Sequence, residues 1–502
     1  LHSTALLSEI AICLSGTQTL YWYGHMLGTR RAISGNGAAP QRRILLTTTS
    51  ALLLLAAGAS QTWAQQVIFE GGVEPGDTAS IDGDTDLYVG TTAPARLSIL
   101  GGAQVTSGWA IVGENSFGEV VIGGEGSLWT STARIRTGVQ SLGRIFLADQ
   151  GAAASTDAVI GESARGEAVL TSGASWTVAD QFTVGLFAEG DLRIEEGAQI
   201  TSAQGYVGAG AGGVGTVTVT GAGSRWDMIH SNLSLGNYGT GSMTIEDGAT
   251  VYALAGVSLG TADAAASGTL VLLGTPGARG ALETSTVIAG PGTAELTLDG
   301  GILRATRDNS NFFYRFDARQ VRLGGGGGFF DTNGHDIGAS TELTGAGGLV
   351  KQGEGTLTLT GANSYTGGTI IEQGVLRLGN GGTSGSILGD VFTDGTLAFD
   401  RSDVVTFAGE VSGTGGVHQI GTGLTVLTAD SANLSGLSRV DAGVLAVNGA
   451  LGGAIEVRGG RLQGVGRVGT TTNGRAGNIA PGNAIGTLTS GGDYIGNGGT
   501  RE

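Results

Sequence analysis

The sequence predicts an all-β chain that folds as a right-handed parallel β-helix, a solenoid of stacked coils with about three short strands in each coil. Glycine provides 97 of the 502 residues and proline only 6, so the chain can turn often and disfavours helix. Short segments alternate apolar and polar residues, which is typical of strands with one buried face. An aliphatic residue followed by glycine also recurs about every 24 residues, and a fixed period of this length indicates a solenoid.

The N-terminal segment has the composition of a secretory signal. Arginines precede an uncharged, largely apolar run over residues 44–59, and the small residues Thr62 and Ala64 stand three and one residues before the expected cut. Because this run is shorter than the ~20 residues of a membrane-spanning helix, we expect a signal peptide that is cleaved between Ala64 and Gln65. The first methionine is Met26, so residues 1–25 are compatible with an over-extended start.

The first repeat family fills most of the first half of the chain. Its strands end in a marker pair, an aliphatic residue or threonine followed by glycine, at steps of 23 to 28 residues. A coil of that length holds three strands with glycine-rich corners, and its backbone pairs with the coils above and below. The marker pairs are Val89-Gly90, Val112-Gly113, Thr137-Gly138, Ile160-Gly161, Val184-Gly185, Val207-Gly208, Leu235-Gly236 and Leu259-Gly260.

A longer period overlies the first, because a tetrapeptide that begins with glycine and ends with tryptophan recurs at spacings of 47 and 50 residues. Two coils separate successive tryptophans, so Trp129, Trp176 and Trp226 are expected to lie along one face. One interpretation is structural, with the indoles stacked within or beside the core. The alternative is functional, an aromatic platform for sugar rings, and these three residues are then the candidate binding face.

A different repeat follows from about residue 300. Residues 347–369 read GGLVKQGEGTLTLTGANSYTGGT. This segment closely resembles the autotransporter-associated β-strand repeat, whose pattern is roughly G-G-L-x-K-x-G-x-G-T-L-x-L-x-G-x-N-x-Y-x-G-x-T. Residues 331–336 and 480–488 are similar to segments of the same family, and the tryptophan-containing coils resemble another of its repeats. The resemblance covers most of residues 80–495.

The resemblance implies a passenger domain of type V secretion, built as a pectin-lyase-like β-helix and displayed by Gram-negative bacteria. Such proteins end in an outer-membrane β-barrel, whereas this sequence stops at Glu502 before any barrel pattern. We therefore expect a truncated sequence, or a separate polypeptide that provides export. The implied location is the outer membrane, the cell surface or the medium if a barrel is present, and the periplasm if the chain is truly truncated.

These patterns divide the chain into five expected segments. The change of repeat sets the boundary near residue 300, and the end of the repeat pattern sets the last one. The segments are a leader over residues 1–64, a β-helix with coils of about 24 residues over 65–300, a transition segment over 301–345, autotransporter-associated repeats over 346–495, and a short end over 496–502.

Composition and charge argue against several partners. With 43 acidic and 26 basic residues the net charge is −17, and Lys351 is the single lysine, which argues against binding to nucleic acid or to an anionic membrane surface. The one cysteine, Cys13, precedes the expected cleavage site, so the mature chain is expected to hold no disulfide. The mature histidines are scattered along the sequence, so we expect no metal site and no cofactor.

No motif points to catalysis. Residues 81–86 place three aspartates two apart, like the start of a calcium loop, but the glutamate that should close the loop is missing, and a solvated face is expected. Ser258 lies in a Gly-x-Ser-x-Gly motif, yet in register with the repeat rather than at a strand-to-helix turn. Glu195 and Glu196 have no placed partner carboxylate. The aromatic stretch 309–316 is expected to be a packed loop or a crossover between repeats, with a contact patch as the alternative.

We therefore expect a non-enzymatic passenger that adheres to cells or surfaces. Its expected partners are glycans or proteins of host or bacterial surfaces, and an exposed face could also support self-association. One alternative is a polysaccharide lyase or hydrolase built on the same coils. Another is a truncated stalk with no activity of its own. Turnover of a glycan would favour the enzyme, and binding to cells without turnover would favour the adhesin.

Overall fold

Strands make up the regular secondary structure in the part of the chain that the structure describes. The computed structural model describes residues 65–78, 81–482 and 486–502, which form a parallel β-solenoid of about 18 turns. The predicted fold class, with about three short strands in each coil, is confirmed. Among the described residues, no helix is long and apolar enough to cross a membrane. The expected signal peptide, up to Ala64, lies outside the described residues.

Each coil of the first half contributes one strand to each of three parallel sheets, called the first, second and third sheet in the order in which a coil enters them. The first sheet contains Gln66–Gly71, Ala95–Leu100, Gly118–Gly123, Gly143–Ala148, Gly166–Leu170, Glu189–Ile194, Val214–Thr220, Thr240–Glu246, Ser267–Thr275, Thr293–Asp299, Val321–Leu323 and Leu343–Thr344, with the short strand Ala278–Arg279 paired to the end of Ser267–Thr275. The second sheet contains Gln104–Ser107, Leu128–Ser131, Ala152–Ser155, Ser175–Val178, Gln199–Ser202, Arg225–Met228, Thr250–Ala253, Ala281–Thr284, Ile302–Ala305, Gly328–Asp331, Leu349–Gln352, Thr369–Ile371, Val391–Thr393 and Val411–Ser412.

The third sheet continues through both halves of the chain, and a fourth sheet replaces the first sheet near the C-terminus. The third sheet contains Val73–Glu74, Leu87–Val89, Ala110–Val112, Arg134–Thr137, Asp157–Ile160, Gln181–Val184, Gln204–Val207, Leu233–Leu235, Val257–Leu259, Val287–Ala289, Asn309–Tyr314, Ile337–Ala339, Thr356–Leu359, Val375–Leu378, Thr396–Phe399, Gly416–Gln419, Asp430–Ser431, Leu437–Val440, Ala450–Val457, Arg467–Asn473, Thr489–Ser490 and Tyr494–Gly496. The fourth sheet contains Val404–Phe407, Leu424–Leu427, Val444–Val447, Arg461–Gly464, Asn478–Pro481 and Thr500–Arg501.

The marker glycines stand where third-sheet strands end, and the backbone there requires glycine. Gly208 has a φ of 70°, which L side chains rarely adopt. A Cβ at this position would lie 2.2 Å from the carbonyl oxygen of Thr240 in the next coil. The Gly208 N–H donates to the Val184 carbonyl of the preceding coil at 2.8 Å. The recurring glycine therefore allows the corners of adjacent coils to approach closely while their backbones stay paired.

The coils become shorter in the second half of the chain. In the third sheet, successive partners are Ile337, Leu357, Leu376, Leu397 and Val417, each paired with the next. Each coil there therefore holds 19 to 21 residues. The first sheet ends at Leu343–Thr344 and the fourth begins at Val404–Phe407. Between them, one side of the coil is closed by corner residues instead of a strand.

The first two strands run antiparallel to the coil that follows them. Gln66–Gly71 pairs with Ala95–Leu100 over six residues, and Val73–Glu74 pairs with Leu87–Val89. Sequence reasoning expected parallel coils from the start of the mature chain. The reversal covers the first-sheet and third-sheet edges of the first coil, which would otherwise present unpaired N–H and C=O groups.

The stretch 309–316, expected to be a packed loop or a crossover, forms mostly a strand of the third sheet. Asn309–Tyr314 pairs with Ile337–Ala339 through an irregular register, and Phe312 and Phe313 are buried. The irregularity places two extra residues on one side of the ladder, because four steps from Asn309 to Phe313 face two steps from Ile337 to Ala339. Tyr314 remains exposed, so only part of the stretch, including Phe312 and Phe313, packs in the core.

Candidate functional site

The three tryptophans lie in every second strand of the second sheet, and their side chains point into the core. Trp129, Trp176 and Trp226 are at most 1% exposed. In the register of the sheet, Ala153 lies between the first two and Ile200 between the last two. Large and smaller side chains therefore alternate along this inward row, which leaves each indole the space it needs.

Each indole N–H is satisfied inside the core by a serine of the preceding coil. Sequence reasoning missed these serines, although each ends a second-sheet strand 21 to 24 residues before its tryptophan. A buried indole N–H without a hydrogen-bond acceptor would lower the free energy of unfolding, so each buried tryptophan depends on its serine. The three hydrogen bonds are Trp129 Nε1 to Ser107 Oγ (3.2 Å), Trp176 Nε1 to Ser155 Oγ (3.2 Å) and Trp226 Nε1 to Ser202 Oγ (3.0 Å).

The aromatic platform is therefore corrected. The tryptophans share one face, as the 47- and 50-residue spacings predict, but it is the inner face of the sheet. A sugar cannot stack on a ring that has at most 1% of its surface exposed. Phe182 of the third sheet fills the space between Trp176 and Trp226, with ring centroids 5.1 and 5.4 Å away in edge-to-face geometry.

The lysine of the second repeat occupies the same inward row, between Phe330 and Ile371. Its ammonium group lies at a coil corner and is surrounded by oxygen atoms. The four acceptors of Lys351 Nζ are Thr332 Oγ1 (3.0 Å) and the carbonyl oxygens of Gln352 (3.0 Å), Gly353 (2.6 Å) and Gln373 (3.1 Å). The side chain thus joins three successive coils.

Burial has a clear electrostatic effect on this lysine. Desolvation lowers the pKa of Lys351 to about 8, because removal from water penalises the ammonium form. The nearby carboxylates of Asp331, Glu354 and Asp336 oppose that shift in pKa. A surface concavity of about 590 Å³ beside the lysine is lined in part by Asp331, Glu354 and Glu372, and Asp331 is also held by Arg304 at 2.7 Å.

Two more residues of the repeat pattern hold the shortened coils together. Asn363 is buried; its Oδ1 accepts the Leu343 N–H at 3.0 Å and its Nδ2 donates to the Ser386 carbonyl at 2.9 Å. This amide bridges the coils on either side at the place where the first sheet has ended. Tyr365 is fully buried, its hydroxyl lies 2.7 Å from Thr369 Oγ1, and desolvation raises its pKa. The fixed positions of the repeat therefore serve the stacking of coils.

Two of the three aspartates in residues 81–86 accept hydrogen bonds through their side chains. Asp82 Oδ1 accepts from the Asp84 N–H at 3.1 Å and from Thr85 Oγ1 at 2.7 Å. Asp86 Oδ1 accepts from the Trp109 N–H at 2.8 Å. In residues 65–78, 81–482 and 486–502, no group of three or more His, Cys, Asp or Glu side chains is placed to hold a metal ion.

Neither sequence candidate for catalysis lies in a catalytic arrangement. Ser258 sits in the middle of Val257–Leu259, paired with Ser234 and Ile288 in flanking strands, so it is not on a strand-to-helix turn. Glu196 sits at a tight turn with a φ of 52°. Its carboxylate accepts hydrogen bonds from Thr171 and Ser172, which lower its pKa.

The outer surface carries features that the sequence analysis did not identify. On the first sheet, Arg96, Glu119, Arg144 and Glu167 stand in register, and the Arg144–Glu167 ion pair measures 2.6 Å. Both side chains of this pair are partly buried, and ion pairs at a protein surface contribute little to stability. At the corner after the third sheet, two aromatic side chains, Phe187 and Tyr238, are exposed. The sequence signal for them is their position two residues after a marker glycine, in Gly185-Leu186-Phe187 and Gly236-Asn237-Tyr238.

The fold and the role of the repeat residues define a class of protein, a repeat-built parallel β-solenoid. Residues 349–378 match the passenger-associated-transport-repeat family. The chain is 46% identical over 99 residues, 20% of its length, to the adhesin BmaC autotransporter of Brucella suis biovar 1 (strain 1330). It is 42% identical over 65 residues, 12% of its length, to an extracellular serine protease of Serratia marcescens. These similarities confirm the resemblance to autotransporter passengers predicted from residues 347–369.

The similar regions form a small part of each relative. The chain covers 3% of the length of the Brucella adhesin and 6% of the length of the Serratia protease. A shared fold can host different functions, so the activity of either relative does not pass to this chain by similarity alone.

Proposed function

We propose that this chain is part of a surface-exposed or secreted autotransporter passenger and that it mediates adhesion to cells or surfaces without catalysis. The 46% identity with an autotransporter adhesin carries the proposal. The solenoid supports it, because stacked coils repeat their outward rows and offer extended faces to a large partner. The expected signal sequence before Gln65 supports export.

The adhesion proposal is tested with beads coated with the purified chain. Coated beads should attach to cultured epithelial cells and to bacterial cells more than beads coated with albumin, and soluble chain should compete for that attachment. A chain denatured before coating is the control for non-specific adsorption. Equal attachment of native and denatured coatings would reject adhesion through the folded solenoid.

The enzyme remains the second candidate because one relative is a secreted protease. Incubation of the chain with casein, polygalacturonate and cellulose should release no new peptide or reducing ends. Ser258→Ala is the matched variant, since Ser258 carries the Gly-x-Ser-x-Gly motif. Turnover by the wild-type chain would overturn the non-enzymatic assignment, and loss of that turnover in the variant would locate it.

Export is tested by the N-terminus of the processed chain. When the full sequence is expressed in a Gram-negative host, the exported product should begin at Gln65, because the small residue Ala64 precedes the expected cut. N-terminal sequencing provides the measurement. A product that retains residues before Gln65 would contradict the proposed signal peptide.

A further inference from the structure

An uncharged aromatic notch lies at the corner between the third and first sheets, and none of the motifs discussed above includes it. Phe187 and Tyr238 are 58% and 52% exposed, which is unusual for large apolar rings. The concavity between them has a volume of about 450 Å³. Its lining residues are Gln181, Leu186, Phe187, Tyr206, Ala209, Gly210, Ala211, Asn237 and Tyr238.

Three stacked coils build the notch. The Gly210 N–H donates to the Leu186 carbonyl at 2.7 Å, and the Tyr238 N–H donates to the Ala209 carbonyl at 3.2 Å. The residues that carry the two rings are thus two coils apart, about 10 Å along the stack. Small residues occupy the corner of the coil between them and form a low floor.

The floor requires glycine for its shape. A Cβ at Gly210 would lie 2.5 Å from Cε1 of Phe187 and 2.4 Å from the Leu186 carbonyl oxygen. The Phe187 ring therefore lies directly against the backbone of the next coil. A larger residue at this position would displace the ring and fill the notch.

Polar groups at the edge of the notch complement the rings. Gln181 Nε2 donates to Thr183 Oγ1 at 2.6 Å, and Asn237 Oδ1 accepts from Thr261 Oγ1 at 2.9 Å. Within the described residues, the other polar atom of each amide, Gln181 Oε1 and Asn237 Nδ2, has no hydrogen-bond partner. One acceptor and one donor are therefore fixed in place and available to a ligand. A hydroxyl group both donates and accepts, so it can satisfy either of them.

The charge of the notch narrows the class of ligand. None of its lining side chains is charged, although the chain carries a net charge of −17. A cationic ligand would find no carboxylate among the lining residues, and the net negative charge of the chain disfavours an anionic ligand. Exposed aromatic rings with a few fixed polar groups suit a ligand that has apolar C–H faces and several hydroxyls.

We infer that this notch binds a neutral saccharide, with a pyranose ring against Phe187 and Tyr238 and its hydroxyls bonded to Gln181 and Asn237. The inference rests on the proposed adhesive function and gives it a ligand class and a site. It also moves the expected aromatic platform from the tryptophan-bearing strands of the second sheet to the corner between the third and first sheets.

The test is isothermal titration of the purified chain with four neutral oligosaccharides: lactose, cellotetraose, maltotetraose and chitotetraose. At least one should bind, and Phe187→Ala/Tyr238→Ala should weaken that binding about tenfold or more, as expected for the loss of central aromatic contacts. The matched control is Tyr314→Ala/Phe392→Ala, which removes the same two residue types at exposed positions outside the notch. It should leave the affinity unchanged.

Several outcomes would overturn the inference. The first is that none of the four oligosaccharides binds, and the second is that binding survives the double substitution. The third is a change of the sedimentation coefficient in the notch variant but not in the control variant, which would show that a second copy of the chain occupies the notch. The bead assay separates this inference from adhesion itself. Beads that attach equally well with the notch variant would leave adhesion standing and reject the notch, whereas saccharide binding without attachment would support the notch and reject adhesion.

Discussion

At the scale of single residues, the polar side chains inside this solenoid have defined structural tasks. A serine accepts the indole N–H of each buried tryptophan, and Lys351 and Asn363 bond to backbone groups of neighbouring coils. Buried polar groups are tolerated when they are hydrogen-bonded and costly when they are not. The repeat motif of residues 347–369, which includes Lys351 and Asn363, therefore marks residues that keep the shortened coils in register.

The tryptophan row can be tested by comparing two substitutions. Trp176→Ala should reduce the free energy of unfolding by about 3–5 kcal/mol, because a large cavity is left in a packed core. Ser155→Ala should reduce it by about 1–3 kcal/mol, because the indole N–H loses its acceptor. Urea unfolding followed by tryptophan fluorescence measures both changes.

Saccharide binding by folded Trp176→Ala protein distinguishes packing from recognition. The affinity should match that of the wild type, since the ring is buried. A loss of affinity without a loss of stability would restore the tryptophan platform.

The titration of Lys351 predicts how stability depends on pH. Its pKa is about 8 in the folded chain, against 10.5 for a lysine in water. Between these values the unfolded chain holds one more proton than the folded chain, so the free energy of unfolding should rise with pH. The expected gain from pH 8 to pH 10 is about 2 kcal/mol. Urea unfolding at several pH values within this window provides the measurement.

Lys351→Met is the matched control because it keeps the length of the side chain and cannot titrate. Its stability should be flat over the same pH window, although lower overall because the oxygens around Nζ lose a donor. The window ends at pH 10 because Tyr365, whose pKa is raised by burial, favours unfolding above that value. Identical slopes for the two proteins would show that Lys351 does not titrate as proposed.

At the scale of structural elements, corners determine how the strands stack. The third-sheet strands can end in register only because marker glycines accept a positive φ and a carbonyl oxygen at close range. When the first sheet ends, the amide of Asn363 provides the links that strand pairing provided before. The corners thus differ in chemistry while the third sheet continues unbroken.

Two glycines with similar backbone angles allow two effects of a glycine-to-alanine substitution on stability to be measured apart. One effect is the strain of a positive φ, and the other is the clash of the added Cβ with a neighbouring coil. Gly208 and Gly212 have φ values of 70° and 81°. No atom lies within 4 Å of a Cβ added to Gly212, whereas one added to Gly208 would lie 2.2 Å from the Thr240 carbonyl oxygen. Gly212→Ala should cost about 1–2 kcal/mol, and Gly208→Ala should cost clearly more because two coils must separate.

Thermal unfolding and amide hydrogen exchange measure the two variants. In Gly208→Ala, amides of the coils on either side of the substitution should exchange faster. Equal stability of the two variants would mean that the close approach at Gly208 is easily relieved.

At the scale of the described solenoid, stability comes from nearest-neighbour contacts between coils, and a terminal coil has an edge to protect. The antiparallel segment over residues 66–74 covers that edge at the N-terminal end. Its role is to prevent other strands from pairing there.

Deletion of residues 65–76 tests this role. The shortened chain should associate end to end, because the strand Ala95–Leu100 would then present unpaired backbone groups. Analytical ultracentrifugation should show species larger than those of the unshortened chain. Ile68→Ser is the matched control, since it changes an exposed side chain and keeps the backbone pairing. Unchanged sedimentation after the deletion would reject the protective role.

The sequence by itself determined the coil, its strands and the family resemblance, because period-two alternation and obligatory glycines are local requirements of the backbone. It also placed Trp129, Trp176 and Trp226 two coils apart on one face. It could not decide whether that face is the inner one, because a shift of one residue at a corner reverses the direction of every side chain in the strand. Only the tertiary structure brought Phe187 and Tyr238, 51 residues apart in sequence, to one notch, because their proximity depends on the exact length of the coils between them.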